Sequence, residues 1–233
     1  MNPKDFRLQY VGMRCEYPES PVFWEVGSAL VKSHLPKYTD WMRSSGGFGL
    51  KDEGNKTIVY LFSEYIHAAV ESLSDVETKL KNFSDNTLAL IRDALREFGY
   101  TSVKDADYRY RFFWQAESLE KPVSLLIHNF ANIPEEYERK FKATAIDYDW
   151  GVTFPYKDFQ CHLWIYVVSR KDIKEIFPMS ADECGQAGLV ITVNFFFPPD
   201  RETISLPELE RFFATRPQEF FDIAAMVAKS IKK

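Results

Sequence analysis

Residues 108–115 read YRYRFFWQ, five aromatic rings and two arginines in eight positions. Neighbouring side chains on a strand point to opposite faces, so Tyr108, Tyr110, Phe112 and Trp114 share one side. Arg109, Arg111, Phe113 and Gln115 take the other. The first set forms a continuous ring face, which argues for a core built on a sheet. Sheet-based RNA readers also display strand aromatics, but within a basic surface and with a glycine-containing consensus that is missing here. Phe113, on the same face as Arg109 and Arg111, is the ring of this stretch expected to meet a partner.

The same period extends along the chain. FRLQYVGMRCEY alternates as Phe6, Leu8 and Tyr10, then slips phase to Val11, Met13, Cys15 and Tyr17, as a strand with an extra residue near Gly12 would. GFGLKDEGNKTIVYLFS reads as two strands joined by a turn around Gly54 and Asn55, and residues 65–72 extend the sheet. Further strands are expected over 107–116 and 122–130, and in ATAIDYDWGVTF, FQCHLWIYVVS and GLVITVNFFF. The last two are nearly continuous in apolar residues, which predicts central strands buried on both faces. Pro198 and Pro199 end the last of these.

Helical spacing appears between the strands. Ser20 and Pro21 offer an N-cap and a first-turn proline, followed by Val22, Val26, Ala29 and Leu30 until Pro36. Ser74 with Glu77 forms a capping box before the stripe Val76, Leu80, Phe83, Thr87, Leu90, Ile91, Ala94, Leu95 and Phe98, which ends at Gly99. NIPEEYERKF predicts a short helix capped by Asn132. Ser205 with Glu208, and Thr215 with Gln218, open two C-terminal helices bent near Pro217, the last one burying Phe220, Ile223, Ala224, Val227 and Ile231.

These elements predict an α+β protein, a mostly antiparallel sheet with packed helices, in a single compact domain over 1–233. Two matches hint at related halves, 1–100 and 101–233, each a strand, a helix, a sheet and a helix. DFRLQY at Asp5 resembles DYRYRF at Asp107, and KDEGNKTIVYLFS at Lys51 shares Lys, Asp, Tyr and Ser in register with KDFQCHLWIYVVS at Lys157. Chance similarity between amphipathic strands would produce the same matches.

With 233 residues the chain can bury roughly 70% of its unfolded surface. Its apolar runs are far too short to cross a bilayer. The formal charge of −5 repels polyanions, so neither nucleic acid nor a membrane is expected as partner. The opening MNPKDFRLQY has no apolar signal core, and Cys15, Cys161 and Cys184 show no paired spacing, which predicts a reduced, cytoplasmic protein.

No catalytic residue, metal site or cofactor is expected. His34, His67, His128 and His162 form no ligand motif, and no GxSxG elbow, phosphate loop or dinucleotide fingerprint occurs. Cys184, in ADECGQAG, reads as the most exposed thiol. Asp147 and Asp149 lie two residues apart on one strand face, about 7 Å, which suits paired acid and base chemistry, a cation site or simply a solvated face. With Glu135, Glu136 and Glu138 they also make a candidate acidic patch for a basic protein.

LQYVGMRCEYPES, the helix WEVGSALVKSHL and then PKYTDWM resemble the start of a group of bacterial toxin immunity proteins. In that group a Y-x-G-x-R strand leads into a helix with a tryptophan beyond it; the matching residues are Tyr10, Gly12, Arg14, Leu35 and Trp41. The likeness spans about the first fifth of the chain and implies a protein that binds and blocks a cognate toxin in the producing cell's cytoplasm, without catalysis. Interfaces of this kind favour exposed aromatics and arginines ringed by polar groups, so Trp41, Phe113, Glu135, Glu136, Asp147 and Asp149 are the candidate contacts. The alternative is a small-molecule binder or enzyme with a ring-lined cleft between two similar halves.

Overall fold

The computed structural model describes residues 6–72, 76–130, 149–156 and 158–214, with Asp222, Met226 and Lys229. The architecture is α+β. Nine antiparallel strands form one sheet, and a two-stranded ribbon stands beside it. In the first half β1 (Arg7–Glu16) leads through α1 (Phe23–His34) to β2 (Asp40–Arg43), β3 (Gly47–Asp52), β4 (Thr57–Phe62) and β5 (Tyr65–Glu71), then α2 (Val76–Phe98). After β6 (Ser102–Val103), the second half runs β7 (Asp105–Ala116), α3 (Glu120–Phe130), β8 (Asp149–Tyr156), β9 (Phe159–Ser169), α4 (Arg170–Ile176) and β10 (Ala187–Phe196). It continues through β11 (Ile204–Ser205), the partner of β6, to α5 (Leu206–Phe213).

The spatial order is β2-β3-β4-β5-β1-β7-β10-β9-β8. Both halves follow one path: the first strand lies at the centre, a helix carries the chain to the rim, and later strands return until one pairs with the first. Pairing of β1 with β7 closes the seam, with Val11 opposite Tyr110. Val59 on β4 and Ile165 on β9 both point towards the helices.

One sheet face carries α1, α2, α3 and α5 over a core that includes Val11, Met13, Phe48, Leu90, Tyr110, Ile165 and Ile191. Tyr108, Tyr110 and Phe112 point into it as alternation requires, and Trp114 packs at its edge. α2 buries the expected stripe from Leu80 to Phe98 and stops at Gly99, whose φ of 76° suits glycine. The Glu208 carboxylate accepts from the Ser205 amide at 3.0 Å and hydroxyl at 2.6 Å, so the predicted box opens α5. No described helix is long and apolar enough to cross a membrane.

Several expectations are corrected. Residues 122–130 belong to a helix, α3, with Pro122, Val123 and Leu126 buried; a short apolar run fits either period, and here the spacing of Val123, Leu126 and Phe130 follows the helical one. The irregularity in β1 falls between Leu8 and Tyr10, before Gly12. α1 starts at Phe23 without a side-chain cap and buries Phe23, Gly27, Leu30 and Val31, one residue out of phase with the predicted stripe. β10 is buried on both faces, but β9, one strand from the rim, alternates and leaves Trp164 38% exposed. The boxes at Ser74 and Thr215, the helix at Asn132 and the final helix face lie outside the described residues, as do Asp147, Glu135, Glu136 and Glu138.

Candidate functional site

The second sheet face is only partly covered. Residues 170–185, formed by α4, a turn and a short 3-10 segment at Ala181–Glu183, fold back over its middle as a strap. Ile173, Phe177, Ala181 and Cys184 of the strap pack on Tyr10, Ala69, Phe113, Val168 and Val190 in a cluster separate from the main core. Polar anchors hold it. The Glu71 carboxylate, 1% exposed, accepts from the Met179 amide and the Ser180 hydroxyl, each at 2.9 Å. Arg111 donates to the Ile176 carbonyl at 3.0 Å with its guanidinium 4.4 Å from the Tyr10 ring centre. Arg170 donates to the carbonyls of Ala181 and Cys184, and Lys56 and Ser72 both reach Glu183. Burial pushes the Glu71 carboxyl up, against the hydrogen bonds from Ser180 and Met179.

Beyond the strap, cross-strand rows set ring and charge side by side. One row runs Tyr60, His67, Arg14, Asp107. The next runs Gly12, Arg109, Asn194, His162, Thr153, and a third Tyr10, Arg111, Thr192, Trp164, Gly151. Arg14 pairs with Glu16 at 2.6 Å and lies 4.7 Å from the centre of the Tyr65 ring, itself stacked on Phe62 at 4.4 Å. Arg109 approaches Asp107 at 3.6 Å. Burial, then the charges of Arg109, Arg14 and Arg111, pushes His67 down to about 4, so its ring is neutral near pH 7. Burial likewise raises the Asp107 carboxyl although two arginines oppose it.

The three predicted contacts that are described, Trp41, Phe113 and Asp149, do not share one patch. Trp41 is half-buried on β2, with the Lys32 amine 5.1 Å from its ring centre, and Asp149 is exposed on β8; these strands are opposite rims of the sheet. Phe113 is 5% exposed and meets Phe177 edge-on at 5.7 Å, so the strap takes it off the surface. Cys184 is buried rather than exposed: burial raises its thiol to about 11, and the Sγ lies 3.6 Å from the Ser180 carbonyl. A thiol so protonated is a poor nucleophile.

Arg14, Tyr65, His67, Arg109 and Trp164 were missed as site residues. Alternation already assigned Arg109 to the face opposite the rings, and the even positions of FQCHLWIYVVS place His162, Trp164 and Tyr166 there too. Among the described residues no group of three or more His, Cys, Asp or Glu could hold a metal ion.

No family model and no curated protein matches the chain. Among solved structures it aligns with Methanococcus jannaschii TBP at 9% identity, over 93% of this chain and 95% of that one, with a TM-score of 0.25. At that score the likeness carries no argument.

Proposed function

We propose that the chain is a non-enzymatic binding protein, most specifically a cytoplasmic bacterial immunity protein that occludes a cognate, basic toxin. The observation that carries this reading is the bared sheet face, where Arg14, Tyr65, Arg109 and Trp164 stand among acids. Tyrosine, tryptophan and arginine dominate binding energy at protein interfaces, and a polar rim around them fits the same use. The Y-x-G-x-R likeness adds support, because Tyr10, Gly12 and Arg14 all lie on this face. Gly12 there leaves space occupied by the Tyr10 ring; a Cβ would meet the Tyr10 hydroxyl at 2.4 Å. The alternative needs a cleft between two halves, and at that seam β1 and β7 are paired strands.

The test is co-expression with the toxic domain encoded by the neighbouring gene. Restored growth and a complex that survives purification are expected, with Tyr65→Ala weakening that complex at least ~10-fold. Neither rescue nor complex would end the reading; a complex indifferent to Tyr65→Ala would move the interface elsewhere.

A further inference from the structure

Where α4 turns away from the sheet, it leaves a hollow of about 410 Å³ against the rim strand β8. Trp164 and Tyr166 form its floor, Asp149 lies on one side, and Asp172 and Ile176 on the other. The two rings are 4.3 Å apart between centres, tilted by 34°. Asp149 accepts from the Trp164 indole N–H at 3.2 Å through Oδ2. Asp172 accepts from the Ser169 amide at 2.8 Å and hydroxyl at 2.5 Å, also through Oδ2, and these bonds hold its carboxyl below the ordinary range. Each acid is thus fixed by one oxygen while Oδ1 keeps its lone pairs. No lysine or arginine is among the described lining residues.

Two carboxylates beside one indole and one phenol ring give the hollow a net negative potential. Aromatic faces attract cations through their quadrupole, and a carboxylate at the ring edge completes the site. We propose that this hollow receives a lysine or arginine side chain from the basic partner, its cation against Trp164 and Tyr166 and its charge met by Asp149 and Asp172. The inference rests on the inhibitor reading and names the chemistry its partner must bring. Gly151, opposite Trp164 on β8, keeps the approach low: a Cβ there would lie 3.2 Å from the His162 ring and 3.6 Å from the Trp164 ring.

The probe is a blocked Gly-Arg-Gly tripeptide, compared with its neutral citrulline counterpart. Both are titrated into the full chain while the indole N–H resonance of Trp164, assigned through Trp164→Phe, is followed. The arginine peptide is expected to bind at least about fivefold more tightly than citrulline. Asp149→Asn, which keeps an acceptor for the indole, is expected to erase that preference. Equal binding of the two peptides, or a preference unchanged in Asp149→Asn, overturns the proposal. A chain that protects against the toxin yet ignores the arginine peptide loses this pocket and keeps its inhibitor role. Arginine binding without any toxin complex does the opposite.

Discussion

On the central strand β1, Val11, Met13 and Cys15 point to the helices and are at most 1% exposed, while Tyr10, Gly12 and Arg14 point the other way. Of these last, Tyr10 is sealed by the strap and the Arg14 side chain stays 42% exposed. The two faces therefore obey different rules. The helix side buries the inward residues of the central strands, with only Trp114 left partly exposed at its edge, so its stability is spread over many interlocking apolar contacts. The other side buries only what the strap reaches, and elsewhere keeps charges that a close-packed layer would not tolerate. Such groups are tolerated there because cohesion is supplied behind them.

The largest effect that would break this contrast comes from the sealed side. Ile191→Ala, at a fully buried position on central β10, is expected to cost about 2–5 kcal/mol in chemical denaturation. Phe177→Ala, equally buried but on the strap, is expected to cost less globally, about 2 kcal/mol, and to raise amide exchange over residues 170–185 before the rest. If both variants lowered stability equally with uniform exchange, the strap would be an integral layer and the contrast would fail.

Acid titration sharpens the comparison. His67 has a folded value near 4, below its ordinary 6.5, so the stability it contributes is full above 6.5 and is lost as pH falls towards 4. His67→Gln should flatten that limb by about 2 kcal/mol at pH 4, allowing for partial solvent screening. The smallest effect belongs to the outer surface of the helices. Arg92 pairs with Glu210 at 2.6 Å between α2 and α5, with both side chains exposed, and Arg92→Ala should change the unfolding free energy by less than about 1 kcal/mol.

The helix-covered side was the more legible in sequence, because period and burial agree there. Tyr108, Tyr110 and Phe112 alternate into it, and α2 carries its stripe from Leu80 to Phe98 between readable ends. The phase slip in β1 announced an extra residue but misplaced it, since Tyr10 reads as core in either phase: it is buried, but on the opposite face, over Gly12. The strap escaped reading because RKDIKEIF offers two turns of mixed charge whose Ile173 and Phe177 have no local partners. Phe113 was misassigned for the same reason, its cover arriving from more than fifty residues away. β2 is four residues long and mostly exposed, too short for alternation to register. Alternation marks Arg109 as a surface position, yet its neighbours Gly12, His67 and Asn194 come from three other strands that only the sheet order brings together.

The three cysteines divide between these territories. Cys15 and Cys161 lie beneath the helices and Cys184 beneath the strap, with burial raising the first to about 12 and the other two to about 11. Thiols so reluctant to ionise meet an alkylating reagent on useful timescales only once their lids have lifted. The polypeptide therefore carries native clocks, and the sequence in which iodoacetamide masses accumulate on Cys184, Cys161 and Cys15 would date the departure of each layer without a single engineered label.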